Sequence, residues 1–128
     1  MTRILVVDDE PDIVYLVKKM LEKEGYEVEA VYNGSECLGK VRDLKPDLII
    51  LDIMMPGIDG WEVAYTLRNW KETKHIPIIM LTVRVSEDSR EKSFTYARAD
   101  AHLGKPITAE NLLNTIKWVL KNRKGGSE

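Results

Sequence analysis

The chain has 128 residues and a formal net charge of −2, with acidic and basic side chains interspersed. That length suits one domain with a single real core, and the charge balance supplies no drive toward nucleic acid or an anionic membrane. Aliphatic residues are plentiful and aromatics sparse, which excludes a disordered chain and fits a compact α/β domain.

Cys37 is the only cysteine, so no internal disulfide forms and a reducing compartment is expected. No apolar run approaches the roughly 18–20 residues that cross a bilayer. Met1-Thr2-Arg3 leads straight into an apolar stretch, which leaves no room for a signal peptide. A cytoplasmic location follows as the expectation.

In chain order, Ile4-Leu5-Val6-Val7 is a continuous apolar run, the signature of a strand covered on both faces. It ends at Asp8-Asp9. Pro11 then opens a helix whose apolar positions are Ile13, Val14, Leu16, Val17, Met20 and Leu21, and Gly25 closes it. Tyr26 to Val31 alternates apolar and acidic residues as a second strand. After Asn33-Gly34, Cys37, Leu38, Val41 and Leu44 mark a second helix. Leu48-Ile49-Ile50-Leu51 is a third strand, ending at Asp52.

The loop from Met54 to Gly60 is rich in turn formers, and Trp61, Val63, Ala64 and Leu67 follow as a third helix with core positions. Ile76 to Leu81 is a fourth strand, with Pro77 near its start. Ser86 caps a fourth helix whose only apolar face is Phe94, Ala97 and Tyr96. A short fifth strand, about Ala101–Leu103, leads to Lys105-Pro106. Thr108 caps a strong last helix carrying Leu112, Leu113, Ile116, Val119 and Leu120. Residues 1–122 are expected to be the domain and 123–128 a tail or truncated linker.

Five βα units with right-handed crossovers make a parallel sheet with helices on both faces, a three-layer sandwich. The continuous strands belong in the centre and the second and fifth at the edges, which the order 2-1-3-4-5 satisfies. In that order the winding reverses between strands one and three, and ligands sit beyond the carboxyl ends at such a point. Asp8, Asp9 and Asp52 therefore share one crevice.

Three carboxylates together repel one another unless a cation neutralises them. An all-oxygen set with room for water suits Mg²⁺, or Mn²⁺, and His75, His102 and Cys37 have no zinc-site spacing. Phosphoryl transfer gives such an ion a purpose, with a carboxylate as nucleophile. Thr82 and Lys105 reach the same rim, one as a hydroxyl donor and the other as a compact cation. A glycine-rich nucleotide cradle is absent, and Asp8-Asp9-Glu10-Pro11 stands in its place.

The segments "ILVVDDEPDI", "PDLIILDIMMPGIDG", "IPIIMLT" and "KPI", in this order, resemble the receiver domain of two-component response regulators. The likeness runs from Arg3 to about Lys121 and implies a flavodoxin-like (βα)5 fold. It implies that Asp52 is the phosphoacceptor, that Asp9 binds Mg²⁺ directly and that Asp8 acts largely through water. The Met54 backbone carbonyl completes the metal set. Thr82 and Lys105 match the pattern's hydroxyl and lysine, and the bond before Pro106 is expected to be cis.

The chain departs from that pattern at several places. His102 stands where receivers carry an aromatic that swings inward on phosphorylation, so it is expected either to couple to Thr82 or to lie exposed on the edge strand. Arg98 and Val83 replace small residues. Met54 and Arg84 flank the path of attacking water, and their bulk is expected to slow hydrolysis.

The resemblance implies a histidine kinase or histidine phosphotransfer protein as donor, docking near the first helix around Asp12 and Tyr15. Output is expected through the fourth helix, fifth strand and last helix, to a partner protein, a fused effector domain or a phosphorylation-dependent dimer. Trp118 should face outward there. A pseudo-receiver that binds partners without phosphorylation is the alternative. A carboxylate-nucleophile phosphatase is disfavoured, because Met54 occupies the place of its second aspartate.

Overall fold

The computed structural model describes residues 1–126. Its strands are β1 (Arg3–Val7), β2 (Glu27–Val31), β3 (Leu48–Leu51), β4 (Ile78–Thr82) and β5 (Ala101–Gly104). Its helices are α1 (Pro11–Glu22), α2 (Gly34–Leu44), α3 (Gly60–Asn69), α4 (Glu87–Thr95) and α5 (Ala109–Gly126). All pairings are parallel and the order is β2-β1-β3-β4-β5, as expected. Helix α5 continues to Gly126, beyond the boundary expected at residue 122, while Ser127 and Glu128 lie outside the described residues. Among the described residues no helix is long and apolar enough to cross a membrane.

The sheet is sealed on both sides because its central strands are apolar without a break at Ile4–Val7, Leu48–Leu51 and Ile78–Leu81. All of β3 and β4, and β1 from Ile4 onward, are buried, whereas β2 alternates and β5 is half-covered. One face packs Leu5, Val7, Ile49, Leu51, Ile78 and Met80 under α2 and α3. The other packs Ile4, Val6, Ile50, Ile79 and Leu81 under α1 and α5. Cys37 lies inside the first of these layers, and burial pushes its thiol up to about 12.

Caps fix where the helices begin. The side chains of Asn33, Asp59, Ser86 and Thr108 each accept from a backbone N–H three residues on. Glu36 also accepts from the Tyr32 N–H, one residue before the cap, at 2.8 Å, which ties the first turn of α2 to the end of β2. Gly25 supplies the left-handed turn (φ 89°) that leads from α1 into β2.

Helix α4 departs from expectation. Phe94 is 44% exposed, so it does not form the helix's apolar face. The inward positions are Ser89 and Ser93, with Ala97 beyond the helix end, spaced four apart on one stripe; Phe94 lies about 100° round from Ser93. The helix is thus seated on small polar groups. Leu16 is exposed as well, while its neighbours Val14 and Val17 hold α1 to the sheet.

Below the sheet, Arg68 is a buried clamp. Its guanidinium donates to the carbonyls of Lys74, Ile76 and Arg98 and pairs with Asp100 at 2.9 Å. Arg98 itself adopts a left-handed conformation (φ 54°), the geometry that a glycine would accept without strain. The Arg68 bond to its carbonyl helps hold it there.

Candidate functional site

The carboxyl ends of β1 and β3 are neighbours, paired through Val7 and Leu51. Each strand is followed by an aspartate whose backbone N–H continues the ladder: Asp8 to Val31 O at 3.3 Å and Asp52 to Val7 O at 2.9 Å. That pairing holds both acids at the rim yet under cover, at 3% and 4% exposure. Asp9 is half-buried and Glu10 exposed. One carboxylate oxygen from each of Asp8, Asp9, Glu10 and Asp52 lies within 4.8 Å of the others, a donor set that could hold a metal ion.

Lys105 arrives from the far side of the sheet. Its Nζ lies 2.7 Å from Asp8 Oδ2, 3.2 Å from Glu10 Oε1 and 3.3 Å from Asp52 Oδ2. The peptide bond to Pro106 is cis, as expected, and the Lys105 N–H bonds the Thr82 carbonyl at 2.9 Å. Burial pulls the ammonium toward deprotonation, but the Asp8 hydrogen bond and the charges of Asp52 and Asp8 outweigh it, so its pKa is raised. Burial raises Asp8, a trend the Lys105 bond opposes and the Asp52 charge reinforces. One ammonium therefore serves several carboxylates, and the cluster has capacity for further positive charge.

The loop after Asp52 is shaped around it. Asp52 Oδ1 accepts from the Met54 N–H at 3.3 Å, and the Met54 side chain is 52% exposed. Gly60, the first residue of α3, donates to the Ile53 carbonyl at 2.8 Å. A Cβ on Gly60 would lie 2.1 Å from the Asp52 carbonyl oxygen, so only glycine lets α3 approach this closely.

Thr82 is fully buried at the end of β4, and its hydroxyl accepts from the Arg84 N–H at 3.2 Å. Asp8, Asp9, Asp52 and Lys105 form one cluster, and Thr82 stands on the neighbouring strand end with its hydroxyl turned to the β4–α4 loop. His102 is not exposed: it is 3% accessible, with Nδ1 2.7 Å from Ser93 Oγ and Nε2 2.7 Å from the Arg84 carbonyl. The edge strand covers this residue because α4 lies over it. Burial lowers the ring's pKa, an effect opposed by the Arg84 carbonyl and reinforced by Arg90.

Sequence reasoning missed Glu10, although the unbroken run Asp8-Asp9-Glu10 carried the signal. It also missed Ser93, which looks like any polar residue on an exposed helix. Tyr15 and Trp118 are exposed at 64% and 59%, on α1 and α5 as expected.

Known proteins resemble this chain in sequence and in fold. The sequence model of the response regulator receiver domain matches residues 4–117. Protein PilH of Pseudomonas aeruginosa is 38% identical over 120 residues, covering 94% of this chain and 98% of PilH. The transcriptional regulatory protein ResD of Bacillus subtilis is 41% identical over 120 residues, which is 94% of this chain but 48% of ResD, so the chain spans about half of that relative. Among solved structures, a CheY-like receiver domain protein from Methanospirillum hungatei superposes with a TM-score of 0.90 at 32% identity, covering 98% of each chain. The chemotaxis response regulator CheY4 of Vibrio cholerae superposes at 0.87 with 35% identity, over 93% of this chain and 98% of that one. With its five parallel strands in the same flavodoxin-like order, the chain belongs to the response regulator receiver domain family.

Proposed function

We propose that this receiver takes a phosphoryl group onto Asp52 from a histidine kinase or histidine phosphotransfer protein in the cytoplasm. The observation that carries this reading is the buried Asp52 carboxylate, 3.3 Å from the Lys105 ammonium inside a cluster of acids at the sheet's switch point. An Asp52 oxygen attacks phosphorus, the donor's N–P bond breaks, and the imidazole nitrogen keeps the electron pair. An acyl phosphate results.

Asp8, Asp9, Asp52 and the Met54 carbonyl would hold Mg²⁺ or Mn²⁺, since every donor is a hard oxygen. When bound, the ion shields charge on the transferring group. Lys105 pairs with phosphoryl oxygens as they approach, and the Thr82 hydroxyl turns from Arg84 toward the same group. The protein is a phosphoacceptor that assists its own phosphorylation and dephosphorylation, not a turnover enzyme.

The donor docks at α1, where Asp12 and Tyr15 are exposed beside the rim. The output surface is α4-β5-α5, offered to a partner, to a fused effector domain or to a second copy of this chain. Residues 1–122 carry this receiver function.

Treatment with acetyl phosphate followed by intact mass measurement tests the reading. One phosphoryl adduct should form with Mg²⁺ and none with EDTA. No adduct under any condition would favour a pseudo-receiver that binds partners without phosphorylation.

Met54 and Arg84, both exposed at the rim, should shield the acyl phosphate from water. Met54→Asn and Arg84→Ala are each expected to shorten its lifetime several-fold, measured as adduct decay after donor removal. Unchanged decay in both would refute the shielding role.

A further inference from the structure

Four side chains and one carbonyl form a continuous chain, buried from Trp61 to His102 and partly buried at Arg84, between α3, α4, β5 and the β4–α4 loop. Trp61 Nε1 lies 3.1 Å from Ser93 Oγ, Ser93 Oγ lies 2.7 Å from His102 Nδ1, and His102 Nε2 lies 2.7 Å from the Arg84 carbonyl. The Arg84 N–H then bonds Thr82 Oγ1 at 3.2 Å. Ser93 is fully buried, and Trp61 and His102 are nearly so. Among the described residues no buried side-chain nitrogen or oxygen lacks a partner.

For a neutral His102 ring, the chemistry of the ends fixes the protons from Trp61 to Arg84. A carbonyl only accepts, so His102 Nε2 carries hydrogen. The indole N–H only donates, so Ser93 Oγ accepts from Trp61 and spends its own hydrogen on His102 Nδ1. In the neutral Nε2–H tautomer all these groups are satisfied in one direction, from Trp61 to Arg84. The Arg84 residue is held twice more, by its N–H on Thr82 and by its guanidinium 5.2 Å above the Trp61 ring.

We propose that Ser93 is a positioning residue which, through His102 and the Arg84 carbonyl, latches helix α4 to the strand end that carries Thr82. Helix α4 has little apolar surface of its own to hold it, since its inward residues are Ser89 and Ser93. The latch replaces that missing hydrophobic grip with directed hydrogen bonds. When Thr82 releases the Arg84 N–H, the loop backbone at Arg84 is free to rotate about φ and ψ, and the Arg84 carbonyl, on the following peptide plane, leaves His102. The state of the phosphoryl site then reaches α4 as a re-pairing of hydrogen bonds. The latch stands on geometry alone; only the signal it carries rests on the phosphoacceptor reading.

Protonation of His102 would make Nδ1 a donor and reverse its bond with Ser93. The charge that acts on the ring is Arg90 on α4; the Arg84 guanidinium and the Lys92 ammonium lie 5.2 and 4.4 Å over the neighbouring Trp61 ring, and the β4 neighbour is apolar Met80. Burial opposes a further positive charge on the ring, and Arg90 adds to that opposition. The folded state therefore binds this proton less readily than the unfolded chain does. Its contribution to stability should be present above the ordinary histidine value of 6.5 and be lost as pH falls below it.

The test uses the whole unphosphorylated chain, its His102 imidazole read by two-bond 1H–15N spectra and α4 by amide hydrogen exchange. The wild type should show the Nε2–H tautomer. Ser93→Ala should move the Nδ1 resonance toward that of an unbonded acceptor and speed α4 exchange about tenfold, leaving β1 and β3 unchanged. His102→Phe, which keeps a ring but no donor, should speed α4 exchange similarly. An Nδ1–H tautomer in the wild type, or α4 exchange unaffected in both variants, overturns the proposal. With acetyl phosphate and Mg²⁺, α4 exchange should change in the wild type and not in Ser93→Ala; an equal change in both also overturns it. A chain that takes no phosphoryl group overturns the phosphoacceptor reading instead, because tautomer and basal exchange are measured without one.

Discussion

Replacing Lys105 with methionine should slow phosphoryl uptake from acetyl phosphate by roughly two to three orders of magnitude, the usual loss for a donor aimed at developing charge. The same variant should bind Mg²⁺ more tightly. Lys105 Nζ is the cation nearest the cluster, 2.7 Å from Asp8 and 3.3 Å from Asp52, and its side chain is only 7% exposed. It therefore competes with a divalent ion for the same oxygens while serving the transfer itself.

Without Lys105, Asp8 and Asp52 remain buried with no ammonium beside them. Breaking a buried pair from one side costs about 3–5 kcal/mol, and water reaching the exposed Glu10 side of the crevice should reduce that to about 2–3 kcal/mol. Mg²⁺ should restore most of it, because a ligand that binds only the folded state stabilises it by mass action. Thermal unfolding with and without Mg²⁺ separates the effects: the gain in Tm on adding the ion should be larger in Lys105→Met than in the wild type. Equal gains, with unchanged phosphoryl uptake, would mean that Lys105 plays neither role.

Gly60→Ala should be the most damaging of the conservative substitutions. The new methyl would lie 2.1 Å from the Asp52 carbonyl oxygen and 2.7 Å from Ile53 Cα, both backbone atoms that cannot rotate away. Relief requires α3 to move off the sheet, which also breaks the Gly60 N–H bond to Ile53. Overpacking of this kind costs about 3 kcal/mol or more, a fall in Tm of roughly 10 °C or more for a domain of this size. Because the clash is with Asp52 itself, phosphoryl uptake should fall too.

Gly39→Ala is the control. Gly39 is exposed within α2, and an added Cβ meets nothing within 4 Å. That change should stabilise the protein by about 0.5–1 kcal/mol through helix propensity. Paired thermal melts of the two variants check both signs. A Gly60→Ala protein as stable as the wild type would mean that α3 has slack which the close contact denies.

The parts of the fold that were legible in the sequence share a physical reason. Ile4–Val7 and Leu48–Leu51 are uninterrupted apolar runs because parallel strands between two helical layers have no wet face. Their ends were therefore visible as the points where acids begin, and strand order alone then brought Asp8, Asp9 and Asp52 to one crevice. Lys105 was legible through Pro106 and its place after the fifth strand.

The illegible parts are those where burial depends on a neighbour. His102 looked like an edge-strand residue, and only the cover of α4 makes it interior. Ser89 and Ser93 carry no sequence signal of burial, because inward helix positions are usually apolar. Phe94 drew attention as the one large apolar side chain of α4, yet helical spacing sends it outward. Glu10 was overlooked because its neighbours already filled the role of an acidic pair, and only the reach of Lys105 brings it into the site.

The central claim is that Asp52 is the group that changes chemically. Peptide mapping by mass spectrometry after acetyl phosphate and Mg²⁺ treatment, with Asp52→Asn alongside, tests it most directly. The account predicts a phosphoryl group on the peptide containing Asp52 and none anywhere in the variant. An adduct on another residue, or one of undiminished yield in Asp52→Asn, would contradict it.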